Sequence, residues 1–350
     1  MAKFSRIRIF IQLIVGVAIL LWLLQLANSS EVFTSILQFN PTNLIGAVAF
    51  FLVASTFVGL ALCTTLRRSN PDAPLRQILM ASFAGQLLSD VTPVRSGYFL
   101  TPVFLNQLAG IPLEKGMTGV IATGGINSFV KVIVCLIGIG YFTSHLPLPP
   151  EITTSLLVGV VVLLIAGIIF MLLMWNERFS NFVVKFERIP LIGKKLIKFT
   201  EMFAKVQNEG RKIRYSLIFV AILILLSILA NGTALYFVFN GLWYPSLQLI
   251  DFFFIAAFAS VLTYIPITIA GLGVQEAGYV LLLHILHGLP ISPINPSFVA
   301  FALITRALFT GTDIIGIGPL LKMGLKKDST IMSEVKETRV PSNCRISNPK

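Results

Sequence analysis

The chain has 350 residues, 55% of them hydrophobic and 12% charged, with a mean hydropathy of +0.86. A soluble chain carries about 25% charged residues, so a soluble globule, a disordered chain and a fibrous repeat are excluded in favour of one polytopic membrane unit. The net charge of +12 would suggest nucleic acid in a soluble protein; here it is first a topology signal.

A helix needs about 20 apolar residues to cross a bilayer core. Six runs qualify clearly: 9–26, 44–66, 117–142, 156–174, 216–239 and 298–321. The first follows Lys3, Arg6 and Arg8, as in a signal peptide. Its length, and Gln25 three residues before a cut after Ala27, favour a retained helix.

The second run is followed by 78–109, which is apolar but broken. Its piece from Ile78 to Ser89 would span roughly 18 Å, too short to cross. Asp90-Val91-Thr92-Pro93-Val94-Arg95-Ser96-Gly97 then interrupts it, predicting a re-entrant hairpin with its tip at depth. After the runs 117–142, 156–174 and 216–239 comes a second broken region, 252–289, interrupted by Pro266 and by Gly271-Leu272-Gly273-Val274-Gln275-Glu276-Ala277-Gly278. Its first arm looks long enough to span, so a hairpin and two full crossings both stay open.

Of the 27 Lys and Arg residues, 24 lie in the N-terminus, the loops 67–77, 110–116 and 175–215, and the tail after Leu321. The loops 27–43, 143–155, 240–251 and 290–297 contain none. Basic loops stay cytoplasmic, which predicts both termini inside, in the cell membrane. The loop 175–215 could also attract anionic lipid.

The expected fold is therefore all-α, with six clear transmembrane helices and two broken or re-entrant helical hairpins, eight to ten helical segments in all. The order of elements predicts an inverted repeat with halves at about 9–142 and 156–321. The two form one membrane domain, 1–321, followed by a polar, disordered, cytoplasmic tail, 322–350. In such repeats the binding site lies where paired broken segments meet near the midplane. Pro93, Gly97, Pro266, Gly271 and Gly273 mark the breaks.

Only six charges fall inside the apolar regions: Asp90, Arg95, Lys131, Glu276, Arg306 and Asp313. Each would cost about 2.5–3.5 kcal/mol unpaired at a helix centre, so pairing or a wet cavity is expected. Thr123, Asn127 and Lys131 form one stripe at i, i+4 and i+8, and Arg306 and Asp313 nearly share a face. These six are the candidate substrate-binding residues; interhelical staples are the plainer reading. His284 and His287 could share a metal but suit an outer interface better. Trp22, Trp175, Trp243 and Tyr244 suit aromatic belts. Cys63, Cys135 and Cys344 show no metal or disulfide pattern. No nucleotide-binding loop, hydrolase motif or nucleic-acid motif occurs, and no cofactor, metal or catalytic residue is assigned.

The two interruptions resemble those of the lysylphosphatidylglycerol synthase/flippase-like integral membrane family, which includes UPF0104-type membrane proteins. The likeness runs over roughly residues 5–322. The family's first motif is typically Pro-x-Arg-x-Gly-Glu and its second a Gly-x-Gly-x-x-Glu run after a Pro. Arg95 and Glu276 match. Tyr98 stands where the family often has Glu, and Thr101-Pro102 where a second Arg often follows. The resemblance implies a multi-pass protein acting on lipids, moving an aminoacylated phospholipid across the bilayer or accompanying glycosyltransfer to polyprenyl lipids. Synthase activity is not implied, since the longest polar loop, 175–215, is too short for a soluble domain. The leading expectation is a lipid translocator that is not an enzyme, with Arg95 and Lys131 or Arg306 on a phosphate and Glu276, Asp90 or Asp313 on a cationic headgroup or a proton. A non-catalytic membrane partner of a lipid-modifying glycosyltransferase or synthase is the alternative. A membrane-embedded enzyme using Glu276 near His284, and a small-solute transporter, come after it.

Overall fold

In a computed structural model, the structure describes residues 2–93, 95–145, 150–175, 209–210, 213–242, 247–264, 267–290 and 292–325. Pro266, most of the loop 175–215, Trp243, Tyr244 and residues 326–350, with Cys344, lie outside the described residues. The described chain is helical and contains no strand: α1 (Ala2–Leu26), α2 (Ser29–Leu37), α3 (Pro41–Ser69), α4 (Leu75–Asp90), α5 (Thr101–Ala109), α6 (Leu113–His145), α7 (Pro150–Trp175), α8 (Leu217–Gly241), α9 (Leu249–Leu262), α10 (Val274–Leu286), α11 (Pro296–Asp313) and α12 (Ile317–Leu325).

Four spans are long and apolar enough to cross a membrane among the described residues: α3, α6, α8, and Pro296–Leu321, which runs from α11 into α12. A fifth is the run 9–26 if α1 and α2 count as one span bent by 90°. The sixth expected run lies on α7, where only the shorter stretch Leu157–Ile169 is recognised as apolar helix. The bend falls at Asn28, whose φ of 57° stops the helix. The asparagine Nδ2 then donates to Glu31 Oε1 at 2.7 Å in the first turn of α2. The helix α12 runs on to Leu325, four residues past the expected end of the membrane domain at 321.

Helix starts follow local chemistry. Asn40 and Asn295 cap α3 and α11, each accepting from the backbone N–H two residues on at 2.9 Å, with Pro41 and Pro296 in the first turn. The Asp251 carboxylate closes α9 by accepting from Gln248 N at 2.8 Å.

The long helix α8 packs along α3 through small residues. A Cβ on Gly46 of α3 would meet the Phe237 ring of α8. The Ser227 hydroxyl donates across this contact to Ala54 O at 2.9 Å. Close approach by small residues is how helices associate where water supplies no drive. Around α8, α9, α10 and α11 lies a core of packed aromatics, including Phe239 tilted against Phe252 at 5.1 Å and Tyr279 edge-on to Phe301 at 5.5 Å. A second core joins α3, α4, α5 and the start of α6. Outward faces keep large apolar side chains, such as Ile133 and Ile137 on α6 and Ile218 and Phe219 on α8. Apolar surface that continuous fits lipid rather than water.

Both expected breaks are present. The helix α4 ends at Asp90, a 3-10 turn covers Ser96–Leu100, and α5 returns. The second arm pair is α9, with 14 residues, and α10, with 13. Those arms reach roughly 21 and 20 Å, short of a core about 30 Å thick. The expectation that the first of them is long enough to span fails, because the helix stops at Leu262.

Candidate functional site

The tips of the two broken hairpins touch. An antiparallel bridge pairs Pro93 with Ile269. Glycine makes each tip possible. A Cβ on Gly97 would run into the Leu88 backbone, so only glycine lets the returning chain cross α4 there. Its N–H donates to Thr92 Oγ1 at 2.7 Å, and that hydroxyl donates to Leu88 O at 2.9 Å. In the second tip Ala270, Gly271 and Gly273 all have positive φ, at 47°, 74° and 79°. A Cβ on Gly273 would meet Gly16 O and Ile19, so α1 lies against this tip.

Each tip carries a buried ion pair. Arg95, itself left-handed at φ 54°, donates from Nη2 to Asp90 Oδ1 at 2.7 Å and from Nε to Ser89 Oγ at 3.0 Å. Its guanidinium lies 5.4 Å from the centre of the Phe309 ring. In the second tip Glu276 Oε2 accepts from Gly273 N at 2.7 Å and Oε1 accepts from Arg306 Nε at 2.6 Å. Arg306 also donates to Ala270 O from Nη2 at 3.3 Å. One helix, α11, thus serves both breaks: Arg306 holds the second, and Asp313 reaches the first. Asp313 Oδ1 accepts from Ser55 Oγ at 2.9 Å, and its carboxyl faces that of Asp90.

Beside the tips is a cavity of about 390 Å³ between α3, α4, α6, α7, α8, α9, α11 and the first break. Of the six expected residues, Arg95 and Lys131 line it; Asp90, Glu276, Arg306 and Asp313 do not. The stripe Thr123, Asn127 and Lys131 faces it as the spacing predicts. Lys131 is 8% exposed, with Nζ 5.5 Å from the Tyr264 ring centre, and forms no ion pair among the described residues. Asn231, Ser260 and Tyr264 complete the polar wall, and Val162, Leu163 and Phe309 part of the apolar one. Sequence reasoning missed Tyr264 and Asn231. The signal for Asn231 was available, as an amide in the middle of the run 216–239.

The histidines stand apart. His284 is fully buried; its Nδ1 contacts Val280 O at 2.9 Å and its Nε2 accepts from Asn295 N at 3.1 Å, which ties α10 to the start of α11. No group of three or more His, Cys, Asp and Glu side chains placed to hold a metal occurs among the described residues. Cys63 and Cys135 are buried free thiols.

Apolar helices, paired broken helical hairpins and a basic cavity beside them define a multi-pass helical membrane protein. Residues 9–311 match the family model for the lysylphosphatidylglycerol synthase transmembrane region, and the chain belongs to that family. None of the curated proteins matches it. The family lies in lipid metabolism or transport.

Proposed function

We propose that the protein translocates a phosphate-bearing lipid headgroup, held in the cavity by Arg95 and Lys131. The observation that carries this reading is the charge of the cavity. Two cationic side chains from separate elements line one space, and among the described residues no carboxylate lines it. Asp90 neutralises Arg95, so the surplus is the single charge of Lys131. One phosphodiester balances it, while Asn127, Asn231 and Ser260 offer neutral hydrogen bonds to the rest of the headgroup. About 390 Å³ suits a headgroup and excludes two acyl chains, which stay among the bilayer lipids.

The mechanism we infer is alternating access between two halves related as an inverted repeat. It is supported by the matching order of helices and broken hairpins and by the meeting of the two tips. The distribution of Lys and Arg supports a cell-membrane orientation with both termini in the cytoplasm. In this reading Glu276 and Arg306 shape the second tip and do not touch the headgroup.

The test is translocation of headgroup-labelled phosphatidylglycerol in proteoliposomes. Wild type should accelerate exchange between leaflets, and an Arg95→Gln/Lys131→Met variant should fall at least tenfold. Equal rates for the two would overturn the proposal.

A further inference from the structure

The carboxyl groups of Asp90 and Asp313 approach from different helices within hydrogen-bonding reach of each other. The approach is built into the backbone. Where α11 turns into α12, Gly316 sits so close to the backbone of Phe83 and Ala84 on α4 that no Cβ would fit. Both side chains are withdrawn from solvent, at 1% exposure for Asp90 and 0% for residue Asp313. On each, Oδ1 is satisfied, by Arg95 and by Ser55 respectively. On each, Oδ2 is buried and has no donor among the described residues.

Two ionised carboxylates are acceptors only, so neither can satisfy the other. A proton on one supplies the donor that both orphaned oxygens lack. The surrounding charges agree with that count. From the first break comes Arg95. The helix α11 brings Arg306, which is spent on Glu276. Among the described residues α3 brings only the Ser55 hydroxyl, and Tyr264 lies toward Arg95 rather than toward the pair. One available cation thus faces two carboxyl groups, and a single shared proton makes Asp90, Asp313 and Arg95 neutral together.

We propose that Asp90 and Asp313 form a proton-binding carboxyl pair, linked through Arg95 to anion binding in the adjacent cavity. The linkage rests on the phosphate reading above; the shared proton does not. An anion that draws Arg95 from Asp90 leaves the pair's remaining negative charge uncompensated in a dry site. The pair then takes up a second proton, and anion affinity rises as pH falls. This moves the acids away from contact with a cationic headgroup and toward coupling translocation to a proton.

Two measurements on the purified full chain separate the claims. Infrared spectra without ligand should show a protonated-carboxyl stretch at neutral pH that disappears in Asp313→Asn and in Asp90→Asn. Its absence from wild type overturns the shared proton without using any variant. Calorimetric titration with short-chain phosphatidylglycerol in two buffers of different ionisation enthalpy should then show net proton uptake on binding. Equal heats in both buffers, with binding present, overturn the linkage. No binding in either buffer overturns the phosphate reading and the linkage with it, and leaves the infrared result to decide the carboxyl pair.

Discussion

Pro93 and Ile269 are 176 positions apart and form an antiparallel bridge at the tips of two hairpins. Each tip is irregular backbone among apolar helices, and such backbone is tolerated only where protein or a wet cavity surrounds it. Here each tip shields the other, and the cavity lies alongside.

The ion pair Glu276–Arg306 holds the second tip, and removing one partner strands the other. Glu276→Gln should cost about 3–5 kcal/mol, the usual penalty for an orphaned buried charge. Ser227→Ala, which removes one hydrogen bond between α8 and α3, should cost under about 1 kcal/mol. Equilibrium unfolding in detergent ranks the two. A Glu276→Gln loss no larger than that of Ser227→Ala would mean that the pair does not hold the tip.

Glycines divide by what surrounds them. Gly97→Ala drives a Cβ into the Leu88 backbone, and Gly271→Ala adds one at φ 74° against Thr263. Each should lower stability by about 1–3 kcal/mol. Gly140 lies within α6 with open space around it, so Gly140→Ala should be neutral or stabilising by up to about 1 kcal/mol. Thermal melts of the three variants provide the comparison, and a Gly97→Ala protein as stable as Gly140→Ala would contradict the tight crossing at the first tip.

The cavity wall should be chemically reachable. In a protein whose native cysteines are replaced, Asn127→Cys and Ser260→Cys should react with a small charged thiol reagent, and short-chain phosphatidylglycerol should slow both reactions. A cysteine at Gly273 would be uninformative, because α1 lies against that backbone. If neither cavity cysteine reacts, the space is sealed and cannot receive a headgroup.

Much of this was legible in the sequence because apolar run length and the placement of Pro, Gly and charge are local properties. Runs 44–66, 117–142 and 216–239 became α3, α6 and α8, and both interruptions became breaks. The stripe through Asn127 and Lys131 faced a cavity because helical spacing alone puts those residues on one face. Pairing was not legible. Glu276 matched the family motif and looked available to a ligand, yet both its oxygens are spent on Gly273 and Arg306, partners that only the folded tip brings together. Asp313 looked like a neighbour of Arg306 on one helix face. Their seven-residue separation instead sends one to each break. Tyr264 became visible only when the second tip folded over Lys131.

The central claim is that Arg95 and Lys131 jointly hold a phosphate. Equilibrium binding of short-chain phosphatidylglycerol to the purified protein tests it most directly. A charge-assisted hydrogen bond contributes about 1.5–3 kcal/mol, so Lys131→Met and Arg95→Gln should each weaken binding by roughly ten- to a hundredfold, with Gly140→Ala binding like wild type. Affinity unchanged in both charge variants would contradict the account.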